Sequence, residues 1–200
     1  ALGYCILCNY YISIMVCIFL IIYFFIFSAL TGFEEGFAGF VKTGIRFAFW
    51  SLVAGGVAAV FLLPEICALS ATASSESTFP KTVSEYFGIF DMLARHMPGV
   101  ETEQWLKHFP NIYCGSFVYL LFGLYLMAKR IPLKEKAAYT ALALFMLAGF
   151  AINVLNFIWH GFRYPNSLPA RQSFIYCFIV IYMCFRVYEN RRHITKKDTG

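Results

Sequence analysis

Long apolar runs separated by short polar segments set the pattern of this chain. A transmembrane helix needs about 20 consecutive, mostly apolar residues, and five runs approach or reach that length. The first falls within Tyr10 to Leu30, with no charge before Glu34; the second runs from Phe47 to Leu63, bounded by Arg46 and Glu65. The third covers Ile112 to Met127 and the fourth Ala137 to Trp159. The fifth, Ser173 to Val187, is short and requires Arg186 to reach the interface by snorkelling. The pattern predicts an all-α fold: a polytopic transmembrane helix bundle of about five spans, with residues 1–200 forming part of one multi-span membrane domain.

The connector from Pro64 to Asn111 is long enough to hold structure of its own. Ser70 to Ser77 is small and polar and reads as a mobile loop. Thr82-Val83-Ser84-Glu85 matches a capping box, in which Thr82 satisfies a free amide and Glu85 reaches back. Val83, Phe87, Phe90, Ala94 and Met97 recur at helical spacing, and Pro98-Gly99 stops the run. An amphipathic helix is predicted there, lying on the outer leaflet or packed against the spans.

Composition agrees with lipid as the solvent. Hydrophobic residues make up 60% of the 200 and charged residues 14%, against about a quarter charged in soluble domains. The net charge of +5 follows from topology and does not call for nucleic acid. Lys129, Arg130, Lys134 and Lys136 collect after the third run, and Arg186, Arg191, Arg192, Lys196 and Lys197 after the fifth. The positive-inside rule places both groups, and by alternation Lys42 and Arg46, in the cytoplasm. The long connector (64–111) and the loop 159–171 then face outward, and the carboxyl end faces the cytoplasm. The chain starts Ala1-Leu2-Gly3 without methionine or a charged leader, and reads as a piece of a longer protein. Cys5-x-x-Cys8 has metal-like spacing, but no second pair or nearby histidine completes a site. The seven cysteines read as buried free thiols. No cofactor is evident; a divalent metal is compatible with the chain but not indicated.

The richest chemistry lies between the last two runs, from Trp159 through His160, Arg163 and Asn166 to Arg171. Two prolines stiffen this block and aromatic residues flank it, a mixture suited to a phosphate or sugar at the bilayer edge. Arg163 and Arg171, with His160, are the candidate phosphate ligands, because guanidinium meets phosphate oxygens through paired donors. Headgroup anchoring is the plainer role. Asn153, Asn156 and His160 stand at i, i+3 and i+7, which on one continuous helix makes a polar stripe climbing to the same block. The stripe either lines a wet cavity with Trp159 and Asn166, or supplies hydrogen bonds between helices. The outer acids are Glu65, Glu76, Glu85, Asp91, Glu101 and Glu103. None sits in a pattern that marks a general base, so the catalytic residue is unassigned, with Asp91 and Glu85 the first suspects. No phosphate loop, nucleophile elbow or helical metal motif is present.

Several segments resemble the YfhO family of bacterial membrane proteins. They are Asn9-Tyr10-Tyr11-Ile12, Leu62-Leu63-Pro64, Tyr86-Phe87-Gly88-Ile89-Phe90-Asp91, Pro110-Asn111-Ile112-Tyr113-Cys114-Gly115, and Trp159-His160-Gly161-Phe162 with Arg171-Gln172-Ser173-Phe174. The chain departs from the family at Arg163, often histidine, and at Ala170, often tyrosine. The resemblance implies a GT-C-type glycosyltransferase of the bacterial plasma membrane. Such an enzyme takes a sugar from a polyprenyl-phosphate donor outside the cell and attaches it to a cell-wall polymer such as lipoteichoic acid. It also implies a catalytic acid in an early outer loop, upstream of Ala1. Two other classes stay open: a flippase or transporter of the same lipid, which should show broken helices near the midplane, and a non-catalytic membrane scaffold.

Overall fold

The computed structural model describes residues 1–33, 36–70, 78–102, 109–164 and 170–190. Among these residues eight helices appear in chain order: α1 (Leu2–Cys8), α2 (Tyr10–Thr31), α3 (Gly36–Ser70), α4 (Ile89–Ala94), α5 (Ser116–Met127), α6 (Leu133–Ala151), α7 (Asn153–Trp159) and α8 (Ser173–Glu189). No strand forms among the described residues; one isolated antiparallel bridge pairs Glu85 with Ile152. The chain divides into two units, Ala1–Phe79 with Phe157–Tyr164, and Pro80–Asn156 with Pro165–Gly200.

In the first unit, α2 starts where Asn9 leaves the helical conformation and its Oδ1 accepts from the Ile12 amide at 3.1 Å, an N-cap. It ends at Gly32, whose positive φ of 67° suits a residue without Cβ. Its 22 residues match the first predicted span almost residue for residue. The second span is exceeded: α3 is 35 residues long and carries Pro64 inside it, so the long connector starts after this helix and not at Pro64. Phe24 of α2 stacks on Phe47 of α3 at 5.2 Å. A methyl on Gly3 would lie 3.1 Å from the Ala54 carbonyl, so α1 rides closely on α3. Tyr10–Thr31 and Gly36–Ala68 are long and apolar enough to cross a membrane. Large side chains such as Phe25, Leu52, Val60 and Phe61 stand exposed along them; such a surface is unfavourable in water and natural in lipid.

The second unit packs α8 against α5 and α6. Met146 and Phe150 of α6, Ile112 before α5 and Ile179 and Met183 of α8 form its core. α5 has 12 residues and α8 has 17, both under the length that α2 and α3 reach, and α6 begins with Lys134, Glu135 and Lys136. Two helices both long and apolar enough to span are therefore found among the described residues where five spans are expected. Arg186 does not simply snorkel. Its Nε and Nη2 donate to the two Glu135 oxygens at 2.7 and 3.0 Å, and a third nitrogen meets Glu189. The pair ties the end of α8 to the start of α6, with the Glu135 side chain 13% exposed. A double-mutant cycle with Arg186→Met and Glu135→Gln is expected to give a coupling of about 1–3 kcal/mol, as for a partly buried two-pronged pair. A value near zero in detergent unfolding would reduce it to a surface contact.

The amphipathic helix does not run from Val83 to Met97; only Ile89–Ala94 is helical. The capping role falls to Asp91, whose Oδ2 accepts from the Gly88 amide at 3.1 Å, while residues 84–86 are drawn into pairing with the chain at 151–153. The fourth span is not one helix. At Ile152 the backbone turns extended, with φ −94° and ψ 123°, and separates α6 from α7. Of the loop expected at 70–77, Ser70 ends α3 and the rest lies outside the described residues, as does the basic tail beyond residue 190.

Candidate functional site

The break at Ile152 explains the asparagines. An uninterrupted helix would bond the Asn153 amide to the Gly149 carbonyl four residues back. Here the Asn153 amide donates to the Ser84 carbonyl at 3.1 Å, and the Ala151 carbonyl accepts from the Tyr86 amide at 2.9 Å. The Asn153 side chain completes the exchange: Oδ1 accepts from the Ser84 amide at 3.0 Å and the Val154 amide at 2.8 Å, and Nδ2 donates to the Thr82 carbonyl at 2.9 Å. The released Gly149 carbonyl accepts from Asn156 Nδ2 and Gln172 Nε2, each at 3.4 Å. Asn153, Asn156 and Gln172 are all buried. The stripe thus splits in function, its lower two members serving the backbone at a helix break.

In the first unit the same stretch of chain closes with a Schellman turn. Gly161, at φ +68°, donates to the Ile158 carbonyl, and the Phe162 amide reaches back to Phe157. The Phe162 ring meets Phe157 edge-on at 6.2 Å, the apolar contact such a turn commonly carries. Phe157 also holds Tyr164 at 5.0 Å and Phe79 at 5.7 Å. Phe162 is held at φ +61°, a conformation rare for a bulky residue, with the aromatic cluster holding it in place. Trp159 and His160 are each 1% exposed, and the His160 ring lies 5.9 Å from Tyr11 of α2. A side chain on Gly161 would press on Ile14 at 3.1 Å.

Arg163 follows this turn half-buried, and its Nη1 is buried with no hydrogen-bond partner among the described residues. Arg171, half-buried, belongs to the second unit, as does Asn156, while His160, Trp159 and Arg163 belong to the first. Asn166 lies outside the described residues. Glu85 and Asp91 are both exposed, the latter engaged at the start of α4; Glu76 and Glu103 lie outside the described residues. Among the described residues no group of three metal-binding side chains forms and no disulfide joins any of the seven cysteines, with Cys8 and Cys67 exposed and not buried as expected.

The second unit holds a feature that the sequence reading missed. A cavity of about 480 Å³ opens among α4, α5, α6 and α8, with Phe122, Leu147 and Val180 among its apolar walls. Its polar edge is His96. Nδ1 lies 2.8 Å from the Met92 carbonyl and Nε2 lies 2.8 Å from the Tyr176 hydroxyl. A carbonyl only accepts, so Nδ1 carries the proton and Nε2 accepts from Tyr176. Burial holds this imidazole below its ordinary range, outweighing the Met92 and Leu93 carbonyls that favour the charged form. That favours the neutral ring, the form in which Nε2 accepts. The available signal was Tyr176 itself, a hydroxyl inside an apolar run that needs a partner once buried.

The family described as bacterial membrane protein YfhO matches residues 1–200. The chain belongs to the YfhO family. No curated protein and no solved structure matches it, so the roles of individual residues in this YfhO chain rest on their own geometry. The helix break, the Schellman turn and the His96 cavity all lie within the matched range.

Proposed function

We propose that this YfhO chain is part of a membrane glycosyltransferase that moves a sugar from a polyprenyl-phosphate donor to an extracellular cell-wall polymer such as lipoteichoic acid. Arg163 meets the donor phosphate. The supporting observation is its buried guanidinium nitrogen, which has no acceptor among the described residues; leaving such a group unpaired is costly, and a phosphate oxygen satisfies it. Arg171 is the second candidate cation. In the full-length protein, Arg163→Ala is expected to weaken donor-lipid binding by about 10- to 150-fold, the equivalent of roughly 1.5–3 kcal/mol. Arg163→Lys should recover part of the loss, since it keeps the charge without the planar fork. Arg171→Ala, measured in parallel, shows whether one guanidinium or two hold the phosphate. Donor binding that both alanine variants leave unchanged would make these arginines headgroup anchors.

The break at Ile152 favours a second reading, flipping of the same lipid, because discontinuous helices mark the sites of many transporters. Much of what the break releases is taken up by Ser84, Tyr86, Asn156 and Gln172, which argues for a structural joint. Proteoliposomes separate the two readings. A transferase consumes the donor and labels the polymer, whereas a flippase moves the lipid-linked sugar across intact.

A further inference from the structure

We infer that the cavity beside His96 is a binding site for a neutral lipid, a long-chain alcohol in chemical class, separate from the site of any phosphate. Size comes first. About 480 Å³ lies within the range of small-molecule sites. The walls come second: Leu93, Met97, Phe122, Leu144, Leu147 and Val180 make them apolar, and no Asp, Glu, Lys or Arg side chain lines the cavity. A phosphate buried there would lose its hydration with no cation to replace it. A hydrocarbon chain loses nothing.

Polarity at one edge decides the head of the ligand. Tyr176 gives its hydrogen to His96 Nε2 at 2.8 Å, which leaves the Tyr176 oxygen able to accept one more hydrogen bond. Tyr119, also on the lining, gives its own hydrogen to the Ile112 carbonyl at 3.2 Å. The Tyr176 oxygen is therefore an acceptor matched by an alcohol O–H, while the Tyr119 oxygen also meets Cys114 Sγ at 3.6 Å. The Thr140 hydroxyl on the same lining, buried and without a partner among the described residues, can exchange a second bond with that alcohol. Leu93, Met97 and Leu144 are 54%, 59% and 59% exposed. In a protein whose apolar surface faces lipid, such a mouth admits a chain sideways from the bilayer.

The test is photolabelling of the full-length protein in nanodiscs with a diazirine-bearing hexadecanol, followed by peptide mapping. Label is expected on the segments carrying Leu93 and Leu144. Unlabelled hexadecanol should compete at least about ten-fold better than hexadecyl phosphate, a difference of about 1.4 kcal/mol. Leu144→Trp, which fills the mouth from an exposed position, should cut labelling about ten-fold at unchanged thermal stability. Against the parent protein, hexadecanol should also compete better than hexadecane. Arg163→Ala should leave labelling as it is, so that failure of the donor-phosphate reading leaves this one standing. Label elsewhere, equal competition by the phosphate, insensitivity to Leu144→Trp or loss of label in Arg163→Ala would each overturn the proposal.

Discussion

Replacing Asn153 with alanine is expected to destabilise the second unit by about 3–5 kcal/mol. The side chain makes three hydrogen bonds, to the Ser84 amide, the Val154 amide and the Thr82 carbonyl, and is 8% exposed. Each bond contributes about 1 kcal/mol, and the half-buried Val154 amide left without an acceptor costs about 1–2 more, whereas the exposed Ser84 and Thr82 can turn to water. Without Oδ1 the Val154 amide, which an intact helix would pair with Phe150, has no acceptor across the break. Asn153→Asp separates the two halves of the amide. It keeps the acceptor for both amides but loses the donor to Thr82, and it brings a carboxylate into a buried position. Unfolding in a mixed detergent, read by circular dichroism, supplies the free energies. Hydrogen exchange at Ser84 and Val154 shows whether the loss is local. An alanine variant within about 0.5 kcal/mol of the parent, with both amides still protected, would mean that the backbone pairs at residues 84–86 and 151–153 hold the break alone.

Loss of the Arg95 side chain should cost a similar amount. Its Nε donates to the Pro110 carbonyl at 3.0 Å, Nη1 to the Glu101 carbonyl at 2.8 Å and Nη2 to Asn111 Oδ1 at 2.8 Å. The guanidinium also lies 5.8 Å from the centre of the Phe109 ring. The residue is 9% exposed, and it staples the end of α4 to the chain leading into α5. Arg95→Ala removes three charge-assisted bonds and leaves three acceptors to find water, an expected loss of about 3–5 kcal/mol. Arg95→Lys should recover less than half, because one ammonium cannot reach three acceptors set out for a planar fork. The predicted signature is loss of protease protection in residues 89–111 before α8 is affected. If both variants unfold at the parent's temperature with protection intact, the staple is incidental.

Much of the first unit is legible in the sequence. Twenty or more apolar residues without charge leave few alternatives to a helix in lipid, because every backbone group must be satisfied within the segment itself. Asn9 before an apolar run and Gly32 after it are local end signals, and α2 begins and ends at them. The turn at Trp159-His160-Gly161-Phe162 is local too: glycine takes the left-handed position, and the partners of its hydrogen bonds lie within five residues.

The second unit was misread wherever the deciding partner is remote. Thr82 to Glu85 has the composition of a helix start, yet its backbone bonds to residues 151–153, and the run from Ala137 to Trp159, which holds Gly149 but no Pro, breaks at Ile152. The Asn153 bonds to Ser84 and Thr82 span 69 and 71 residues, beyond the reach of any window of periodicity. The same is true of the Arg186 pairing with Glu135, 51 residues away, and of His96 with Tyr176, 80 residues away. Sequence alone determined that this chain is mostly helical, bears helices suited to lipid and concentrates donors near residues 159–171, since composition, period and end signals act within a few turns. Only tertiary structure decided where a helix breaks, which polar side chains serve the backbone and where a cavity opens, because those outcomes depend on groups that meet only after the chain has folded.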